Sequence, residues 1–417
     1  MRTGVERAAF VVMLAFAAAL QVSIAAAQIL LTIAFLLWLV LIVRDREQID
    51  VPPMFWPLAA YGAATLIASF LSIDPHVSLV DSKQLVLIVI VPLAYRLFKG
   101  SRALMATDVI ITIGALSATY GVIQYLLLNY DTLLRRPQGT LGLNMTYSGL
   151  LMLVTCAAVS RIVFAKHNRA WAALVLPALL LALGFTFTRS AWVGASVGLG
   201  ILFLLRDFRL LGLLPIAFGA FLILAPSTLV SRLYSTFSLT DPSNVDRVAM
   251  MKSGWHMIKD RPFTGVGPDM VIQVYPHYRD KTAVNQLNPH LHNVPLQIAA
   301  ERGLPALILW LWFIGALVRD FWRLRRSEVR SLSNAGLAVI GAMLAAGLFE
   351  YNFGDSEFLM LFLVLVTLPY AAESEAPAVR EVLAHASEGR REPPRSGGPS
   401  AQRAWGGSGA PRERSER

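Results

Sequence analysis

Residues 288–306 read NPHLHNVPLQIAAERGLPA and close the only long polar segment that lies between apolar runs of the chain. The polar segment extends from about Pro226 to Gly303, with apolar runs on both sides of it. A helix needs about 20 apolar residues to cross a membrane. The runs therefore predict membrane spans, and the polar segment predicts an extramembrane region that returns to the membrane near His290 and His292.

The composition also indicates a membrane protein. Hydrophobic residues make up 55% of the 417 residues and charged residues 15%, whereas a soluble domain carries about 25% charged residues. A net charge of +10 would suggest nucleic acid in a soluble chain, but Lys and Arg also mark the cytoplasmic loops of membrane proteins. The single cysteine, Cys156, lies inside an apolar run, which excludes a disulfide or a cysteine-based metal framework.

The sequence predicts an all-α polytopic membrane protein with about twelve transmembrane helices and one large, partly helical periplasmic segment between spans nine and ten. Residues 1–225 would hold spans one to nine, residues 226–303 the catalytic segment, and residues 304–375 spans ten to twelve, with span ten beginning near 296. Residues 376–417, rich in Gly, Pro, Ser and Arg, predict a disordered basic cytoplasmic tail. The predicted spans are 8–25, 28–44, 54–72, 79–98, 104–128, 144–165, 170–187, 190–206, 208–225, 296–319, 332–350 and 356–372.

The distribution of basic residues predicts the orientation. With a cytoplasmic N-terminus, seventeen Lys and Arg residues before the tail fall on the inner side. Only Lys83, Arg135, Arg136 and Arg189 fall on the short outer loops and span ends. Because short cytoplasmic loops are enriched in Lys and Arg, we expect the long polar segment to be periplasmic in the inner membrane of a double-membrane bacterium.

Three of the outer basic residues need a compensating partner. Arg135 and Arg136 are adjacent in a short loop, where a bound anion would balance them; contact with lipid phosphate is the alternative. Arg189 lies between two apolar runs in the sequence GFTFTRSAWVGA. A charge there is costly unless it is paired or faces a wet cavity, so it predicts either an anion site or a structural salt bridge.

Within the polar segment, DPSNVDRVAMMKSGWHMIKD predicts an amphipathic helix that Asn244 would cap. Its apolar stripe recurs at helical spacing and predicts packing rather than ligand binding, although such a helix can also lie in the headgroup layer. Arg247, Lys252, His256 and Lys259 lie off that stripe. The stripe consists of Val245, Val248, Met251, Trp255 and Ile258.

His292 is the strongest candidate for a catalytic group. Asn293 is a plausible helix cap and Pro295 suits the first turn, so His292 would precede a helix N-terminus, whose partial positive charge disfavours the imidazolium form. A neutral imidazole can act as a general base. A histidine that is only hydrogen-bonded at an interface is the alternative, and His290 is a rival for the same role.

Several catalytic motifs do not occur in the sequence. It contains no Asp-x-Asp, no Cys or His pair with zinc spacing, and no P-loop. We therefore expect arginines rather than a bound metal to neutralise a phosphorylated substrate, and the sequence predicts no cofactor.

Four blocks of the sequence resemble, in order, the motifs of the superfamily of O-antigen ligases, O-antigen polymerases and bactoprenol-linked oligosaccharyltransferases. HNVPLQIAAERG contains His292, Asn293 and Gly303 at the spacing of the ligase signature, although Ala306 stands where the family usually has Gly, Thr or Tyr. DRPFTGVGPDM, TFTRSAWVGA and RRPQGTLGLN resemble three further blocks. The resemblance covers nearly the whole chain except the tail.

The resemblance implies an O-antigen ligase that transfers polysaccharide from undecaprenyl diphosphate to a sugar hydroxyl of lipid A–core. It implies an inverting, metal-independent displacement in which His292 is the general base while Arg189 and Arg247 stabilise the leaving diphosphate. The expected substrate-binding residues, for the diphosphate or the acceptor, are Arg135, Arg136, Lys252, His290 and Asn293.

Three other functions remain open at this point. A polymerase would use a second lipid-linked glycan as acceptor, and an oligosaccharyltransferase would use a protein hydroxyl. A lipid-linked glycan transporter is the non-enzyme alternative. A transporter would be expected to carry ionisable groups at mid-membrane depth, whereas the predicted spans are nearly free of charge at their centres.

Overall fold

A computed structural model describes residues 4–167, 169–224, 226–235, 238 and 240–374. Helix makes up 77% of the structure and no strand occurs in these ranges, which confirms the predicted all-α class. By its internal contacts the chain divides into residues 1–375 and residues 376–417. The predicted disordered tail coincides with the second unit and lies outside the described residues.

Sixteen α-helices follow one another in the described part of the chain. They are α1 Gly4–Ala19, α2 Ile24–Asp45, α3 Phe55–Phe70, α4 Pro75–Asp81, α5 Ile90–Leu97, α6 Ser101–Leu127, α7 Asn144–Phe164, α8 Arg169–Phe185, α9 Arg189–Arg206, α10 Leu213–Leu224, α11 Ser227–Tyr234, α12 Pro242–Asp260, α13 Val271–Tyr278, α14 Val294–Leu324, α15 Arg330–Gly347 and α16 Ser356–Glu373.

Among the residues that the structure describes, seven helical stretches are long and apolar enough to cross a membrane, so the protein is a multi-pass membrane protein. Several of the other predicted spans are shorter, including α3, α8 and Phe208–Ala220. The figure of twelve spans therefore stays a prediction. The seven stretches are Ile24–Arg44, Pro75–Leu97, Ser101–Leu127, Asn144–Phe164, Arg189–Arg206, Val294–Leu324 and Ser356–Glu373.

The centre of the bundle is built around α7, α9, α15 and α16. Most of α7 and α16 is buried inside the protein. Gly194 of α9 lies so close to its neighbours that a Cβ atom there would be 2.3 Å from Sδ of Met152 and 2.7 Å from the carbonyl oxygen of Ala342. Small residues of this kind let helix backbones approach closely where lipid supplies no hydrophobic driving force between helices.

The loops between the helices form two groups that make contacts at opposite ends of the bundle. At one end, Arg96 pairs with Glu6 and Glu47, and Lys166 lies 3.3 Å from Glu328. The other end holds the contacts of the polar segment, among them those of Ile73 with Val266, Arg189 with Asp241 and Asn293 with Leu348. Both groups of contacts are consistent with helices that run between two faces.

The polar segment contains α11, α12, α13 and the beginning of α14, and it has its own small apolar core. Asp241, not Asn244, caps α12, because the Asp241 carboxylate accepts a hydrogen bond from the backbone N–H of Ser243 at 3.1 Å. The expected cap at Asn244 is therefore wrong. The Asn244 amide instead donates to the carbonyl oxygen of Ser238 at 2.8 Å and fixes the turn before the helix.

The apolar stripe predicted on α12 does not pack as a unit. Ile258 is buried, but Val248, Met251 and Trp255 are exposed. The buried side of the helix is formed by smaller and sulfur-containing residues, among them Ala249, Met250, Ser253, Gly254 and Met257. Gly254 belongs there because a Cβ atom would meet Leu291 at 2.8 Å and Leu296 at 2.9 Å. The packing predicted for the stripe is thus wrong for its three central members.

A glycine-rich loop fastens the end of α12 to a kink in α14. Gly303 has φ +80° and divides α14 into a short first part and a long apolar second part. The loop binds this kink through the backbone: Pro262 accepts from the N–H of Leu304 at 2.8 Å, and Gly267 donates to Glu301 at 2.9 Å. At Gly265, with φ +66°, a Cβ atom would lie 2.2 Å from the carbonyl carbon of Glu301. The glycines therefore serve a backbone contact, and we name Pro262–Gly267 together with Gly303 the glycine clamp.

Candidate functional site

His292 lies immediately before the first turn of α14. The Asn293 side chain caps that helix by accepting a hydrogen bond from the N–H of Leu296 at 2.9 Å, as the sequence predicted, and Pro295 occupies the first turn. His292 itself adopts φ +49°, a left-handed conformation that is rare for residues other than glycine. This conformation turns the chain sharply between His290 and the helix. Asn293 also donates to the carbonyl oxygen of Leu348 at 3.2 Å, which ties this turn to the loop after α15.

Glu350, in the loop between α15 and α16, binds both histidines. Its Oε1 atom lies 3.0 Å from Nδ1 of His292 and 3.2 Å from Nε2 of His290, and it accepts a third hydrogen bond from the N–H of Tyr351. Burial alone would raise the pKa of the Glu350 carboxyl, but the hydrogen bonds from His290 and His292 hold that pKa well below its usual value. An ionised carboxylate only accepts hydrogen bonds. The Nδ1 atom of His292 therefore carries the hydrogen, and in the neutral form of the ring its Nε2 atom has a free lone pair.

This arrangement modifies the electrostatic argument made from the sequence. The N-terminus of α14 disfavours a positive charge on His292, whereas the Glu350 carboxylate stabilises the imidazolium that forms when the ring accepts a proton. A base oriented by a carboxylate through its second nitrogen is the arrangement used in general-base catalysis. Glu350 was missed from the sequence because it lies 58 residues beyond His292 and falls at the predicted end of a span. The structure ends that helix, α15, at Gly347.

His290, His292 and Glu350 also form a group that could hold a metal ion, because their ligand atoms lie within 4.8 Å of one another. The search of the sequence for metal-ligand spacing did not find this group, because Glu350 is distant from the histidines in the sequence. The cluster is also satisfied by its own hydrogen bonds, with both histidines donating to one carboxylate oxygen. Metal independence stays a prediction.

Arg189 is the first residue of α9, and its side chain is buried. The guanidinium donates to Oγ of Ser235 at 3.1 Å and lies 3.4 Å from Oδ1 of Asp241. The salt bridge that the sequence left open is thus present. Both partners belong to the beginning of the polar segment, so Arg189 joins the end of a membrane helix to α11 and α12.

Three further arginines surround Arg189. Arg136, Arg232 and Arg247 all have pKa values below the ordinary value for arginine, firstly because they are buried and secondly because Arg189 repels them. For Arg232 the pKa falls to about 10, so this side chain is still positively charged at neutral pH. The Nε atoms of Arg232 and Arg247 are buried and have no hydrogen-bond partner within the described part of the chain. We call Arg136, Arg189, Arg232 and Arg247 the arginine cluster.

The nearby carboxylates do not balance the arginine cluster. Asp241 pairs with Arg189. Asp246 interacts electrostatically with Arg247, but its two oxygens already accept hydrogen bonds from Val284, Asn285 and Asn288. Glu350 is bound by the histidines. The four buried or half-buried arginines form a strongly electropositive site, and Arg232 and Arg247 have unused Nε donors within the described part of the chain. Such a site suits a polyanion with several acceptor oxygens.

A small cavity lies where the beginning of α9 meets the loop after α15. It has a volume of about 20 Å³ and is lined by Thr188 and Ser190, on either side of Arg189, and by Glu350 and Asn352. Oε2 of Glu350 is buried without a partner among the described residues. The rest of the cavity lining is mostly apolar. Glu350 also interacts electrostatically with Arg247 of the arginine cluster. The residues that flank Arg189 and the carboxylate that orients His292 are therefore neighbours.

A long apolar groove begins at Arg189. Its volume is about 690 Å³, and α8, α9, α10 and α11 contribute to its walls, with Leu183, Trp192, Phe218 and Leu233 among the lining residues. Apart from Arg189, nearly all of the lining is apolar. A groove of this shape suits a molecule with a long hydrocarbon chain and a charged head group.

The other residues predicted for the site fall into two groups. The structure brings Arg136, Arg189, Arg247, His290 and His292 together, as described above. It places Arg135 and Lys252 on the surface instead: Arg135 stacks over the ring of Tyr130, and Lys252 lies 3.6 Å from Asp280. Asn293 is a helix cap. Arg232 was missed because nothing in the sequence distinguishes it from the other basic residues of the segment.

These features define a class: a multi-pass, all-helical membrane protein with a histidine–carboxylate pair, a cluster of arginines and an apolar groove that Arg189 helps to line. Residues 172–311, which are 140 of the 417 residues, match the family model described as O-antigen ligase. The match confirms the predicted resemblance to the O-antigen ligase/polymerase superfamily, whose members are glycosyltransferase-like enzymes that act on lipid-linked glycans. The matched range of residues includes Arg189, Arg232, Arg247 and His292. No curated protein matched the chain.

Proposed function

We propose that this protein is an O-antigen ligase of the bacterial inner membrane. It transfers a polysaccharide from undecaprenyl diphosphate to a sugar hydroxyl of lipid A–core on the periplasmic face. The observation that carries this proposal is the position of the His292–Glu350 pair beside the arginine cluster. One reaction needs both parts: a sugar hydroxyl that loses a proton and a diphosphate that leaves with negative charge.

The donor fits the arginine cluster and the apolar groove together. Its diphosphate would meet the unused guanidinium donors of Arg232 and Arg247, and its polyprenyl chain would occupy the groove that begins at Arg189. Guanidinium groups bind phosphate oxygens in bidentate fashion and remain charged when buried. The first sugar of the donor would then lie beside the histidines.

The transfer is a single displacement with inversion at the anomeric carbon. The acceptor oxygen forms a bond to that carbon as the bond from carbon to the diphosphate oxygen breaks, and the electron pair leaves with the diphosphate. Nε2 of His292 takes the acceptor proton, while Glu350 holds the ring by its other nitrogen and stabilises the resulting imidazolium. Preorganised charge at the leaving group usually contributes most to catalysis, with base catalysis adding about 10²–10⁴-fold.

We further propose the domain organisation and topology predicted from the sequence. Spans one to nine lie in residues 1–225, the catalytic segment in residues 226–303 is periplasmic, and spans ten to twelve lie in residues 304–375, with a cytoplasmic tail in residues 376–417. The count of basic residues supports this orientation. Cysteines can be introduced at the exposed residues Lys281 and Glu328. The cysteine at 281 should react with a membrane-impermeant reagent from the periplasmic side, and the cysteine at 328 should react only after permeabilisation. Labelling of both positions in intact cells would contradict the topology.

The proposed reaction can be tested with purified protein in vesicles that contain undecaprenyl-diphosphate-linked glycan. Added lipid A–core should become glycosylated, and the lipid-linked glycan alone should not lengthen. Lengthening without added lipid A–core would instead identify a polymerase, and transfer to a protein hydroxyl an oligosaccharyltransferase. In cells, deletion should remove the polymer ladder of lipopolysaccharide while lipid-linked polymer accumulates. A single-repeat band would contradict the ligase assignment.

A further inference from the structure

The outward face of α12 exposes three large apolar side chains. Val248, Met251 and Trp255 are 50%, 54% and 55% exposed, and they follow one another at spacings of three and four residues. This spacing places them along one line of a helix. Aligned apolar groups on an extramembrane surface indicate an interaction site, whereas single exposed hydrophobic residues do not.

Both ends of α12 are fastened to apolar helices of the bundle. At its beginning, the cap residue Asp241 lies 3.4 Å from Arg189, the first residue of α9. Beyond its end, Pro262 accepts a hydrogen bond from Leu304 at the kink of α14, and Val266 accepts one from Ile73, just after α3. A helix of 19 residues is about 28 Å long at 1.5 Å per residue. The helix therefore lies across the ends of the bundle and does not project away from it.

Basic side chains lie beside the apolar line. The ammonium group of Lys259 lies 5.5 Å from the centre of the Trp255 ring. Lys252 is half exposed, with Asp280 3.6 Å away. Tryptophan is enriched at the membrane–water interface, and helices that lie in that interface combine Trp and aliphatic residues with Lys on the polar side. The charge of Lys259 also complements the phosphates of anionic lipids.

We propose that Val248, Met251 and Trp255 insert into the headgroup–acyl boundary of the membrane leaflet that faces the His292 site, with Lys259 in contact with lipid phosphate. Arg247 lies one turn before Met251, so the depth at which α12 rests also sets the height of Arg247 above the hydrocarbon. A lipid-linked diphosphate would lie at that same height. The insertion itself does not depend on the identity of the glycan or on the chemistry of the reaction.

The proposal can be tested by nitroxide accessibility in vesicles without any substrate. Nitroxides are attached to the single variants Met251→Cys and Trp255→Cys, with the exposed loop residue Lys281→Cys as the matched control. Cys156 is buried, so the unsubstituted protein reports the background labelling. We expect the labels at 251 and 255 to be reached by oxygen and shielded from a water-soluble nickel chelate, and the label at 281 to show the reverse.

A second measurement tests the role of charge. Lys259→Glu should reduce the shielding at 255 in vesicles that contain phosphatidylglycerol and should have little effect in phosphatidylcholine alone. Equal access of the nickel chelate to 251, 255 and 281 would overturn the proposal. Shielding that appears only after a soluble phosphorylated glycan is added would also overturn it, because the face would then bind a glycan. No turnover is measured, so failure here leaves the proposed ligase activity untouched.

Discussion

Glu350 gives His292 the features that a general base needs. The carboxylate accepts the Nδ1 hydrogen at 3.0 Å and leaves Nε2 free to accept a proton. A sequence pattern can identify a histidine before a helix, but it cannot identify a carboxylate that reaches the same ring from a loop 58 residues away. The candidate base was therefore predictable, whereas the residue that orients it was not.

Replacement of Glu350 by Gln should lower turnover while the donor still binds. The amide cannot stabilise an imidazolium as a carboxylate does. We therefore expect turnover to fall, at most by the about 10²–10⁴-fold that a general base contributes. The turnover number and the Kd for a fluorescent donor analogue should be measured on the same protein. Glu350→Asp should restore part of the turnover. A merely structural role would instead weaken donor binding and thermal stability in the Gln variant.

Arg232 and Arg135 make a matched pair for testing the arginine cluster. Both are basic residues outside the membrane helices, but Arg232 is partly buried and repelled by Arg189 and Arg136, whereas Arg135 stacks on Tyr130 at the surface. Arg232→Ala should weaken donor binding by about 10–100-fold if the lost charge-assisted hydrogen bonds contribute about 1.5–3 kcal/mol. Arg135→Ala should have little effect. Equal effects of the two substitutions would contradict the assignment of Arg232 to the site.

Chelation distinguishes the two interpretations of the His290, His292 and Glu350 group. If the histidines donate to Glu350 and bind no metal, purified protein should transfer glycan at an unchanged rate in excess chelator. Loss of the activity, with recovery on addition of one divalent metal, would show that the group is a metal centre. That result would also require a different explanation of the His292 geometry.

At the scale of secondary-structure elements, the glycine clamp determines where His292 lies. The clamp fixes the kink of α14, and His292 directly precedes the first turn of that helix. The sequence block was recognisable as a turn from its Pro and Gly residues. Its partner was not recognisable, because the loop binds backbone groups of residues 300–304, which carry no side-chain signature.

Gly265→Ala should therefore destabilise the protein and reduce transfer. A Cβ atom there would lie 2.2 Å from the Glu301 carbonyl carbon. The alanine would also have to adopt φ +66°, a strained conformation that costs about 1–3 kcal/mol for a residue with a side chain. Gly315→Ala in the second half of α14 is the control, because nothing lies within 4 Å of a Cβ atom there. The midpoint of thermal unfolding in detergent should fall for the first variant only. A Gly265→Ala protein with normal stability and activity would contradict the clamp.

The amphipathic helix α12 shows the limit of periodicity as a guide. Its apolar spacing correctly predicted a helix, but not the side on which it packs. Gly254 and Ser253 face α14 and the neighbouring loop because close packing there leaves no room for large side chains. A hydrophobic stripe predicts burial only where the solvent is water. On a membrane surface the lipid itself can cover it.

For the whole molecule, the all-helical multi-pass class follows directly from the apolar runs. The number of spans does not, because helix length depends on where each run is interrupted. The stretch Pro75–Leu97, for example, consists of α4, a 3-10 segment at Ser82–Val89 and α5. Its apolar length was correct, but its internal breaks follow from contacts that the sequence does not reveal, including the hydrogen bond from Gln84 to Gly354.

The most direct test of the proposed function compares His292→Ala with Arg189→Ala in vesicles that contain donor and lipid A–core. A general base acts only in the transition state, so its removal should lower turnover without changing donor binding. We therefore expect His292→Ala to reduce turnover about 10²–10⁴-fold while the donor Kd stays near that of the unsubstituted protein. Arg189→Ala should raise the donor Kd as well, and His290→Ala should be milder than His292→Ala. Transfer by His292→Ala at the unsubstituted rate would contradict the proposed mechanism.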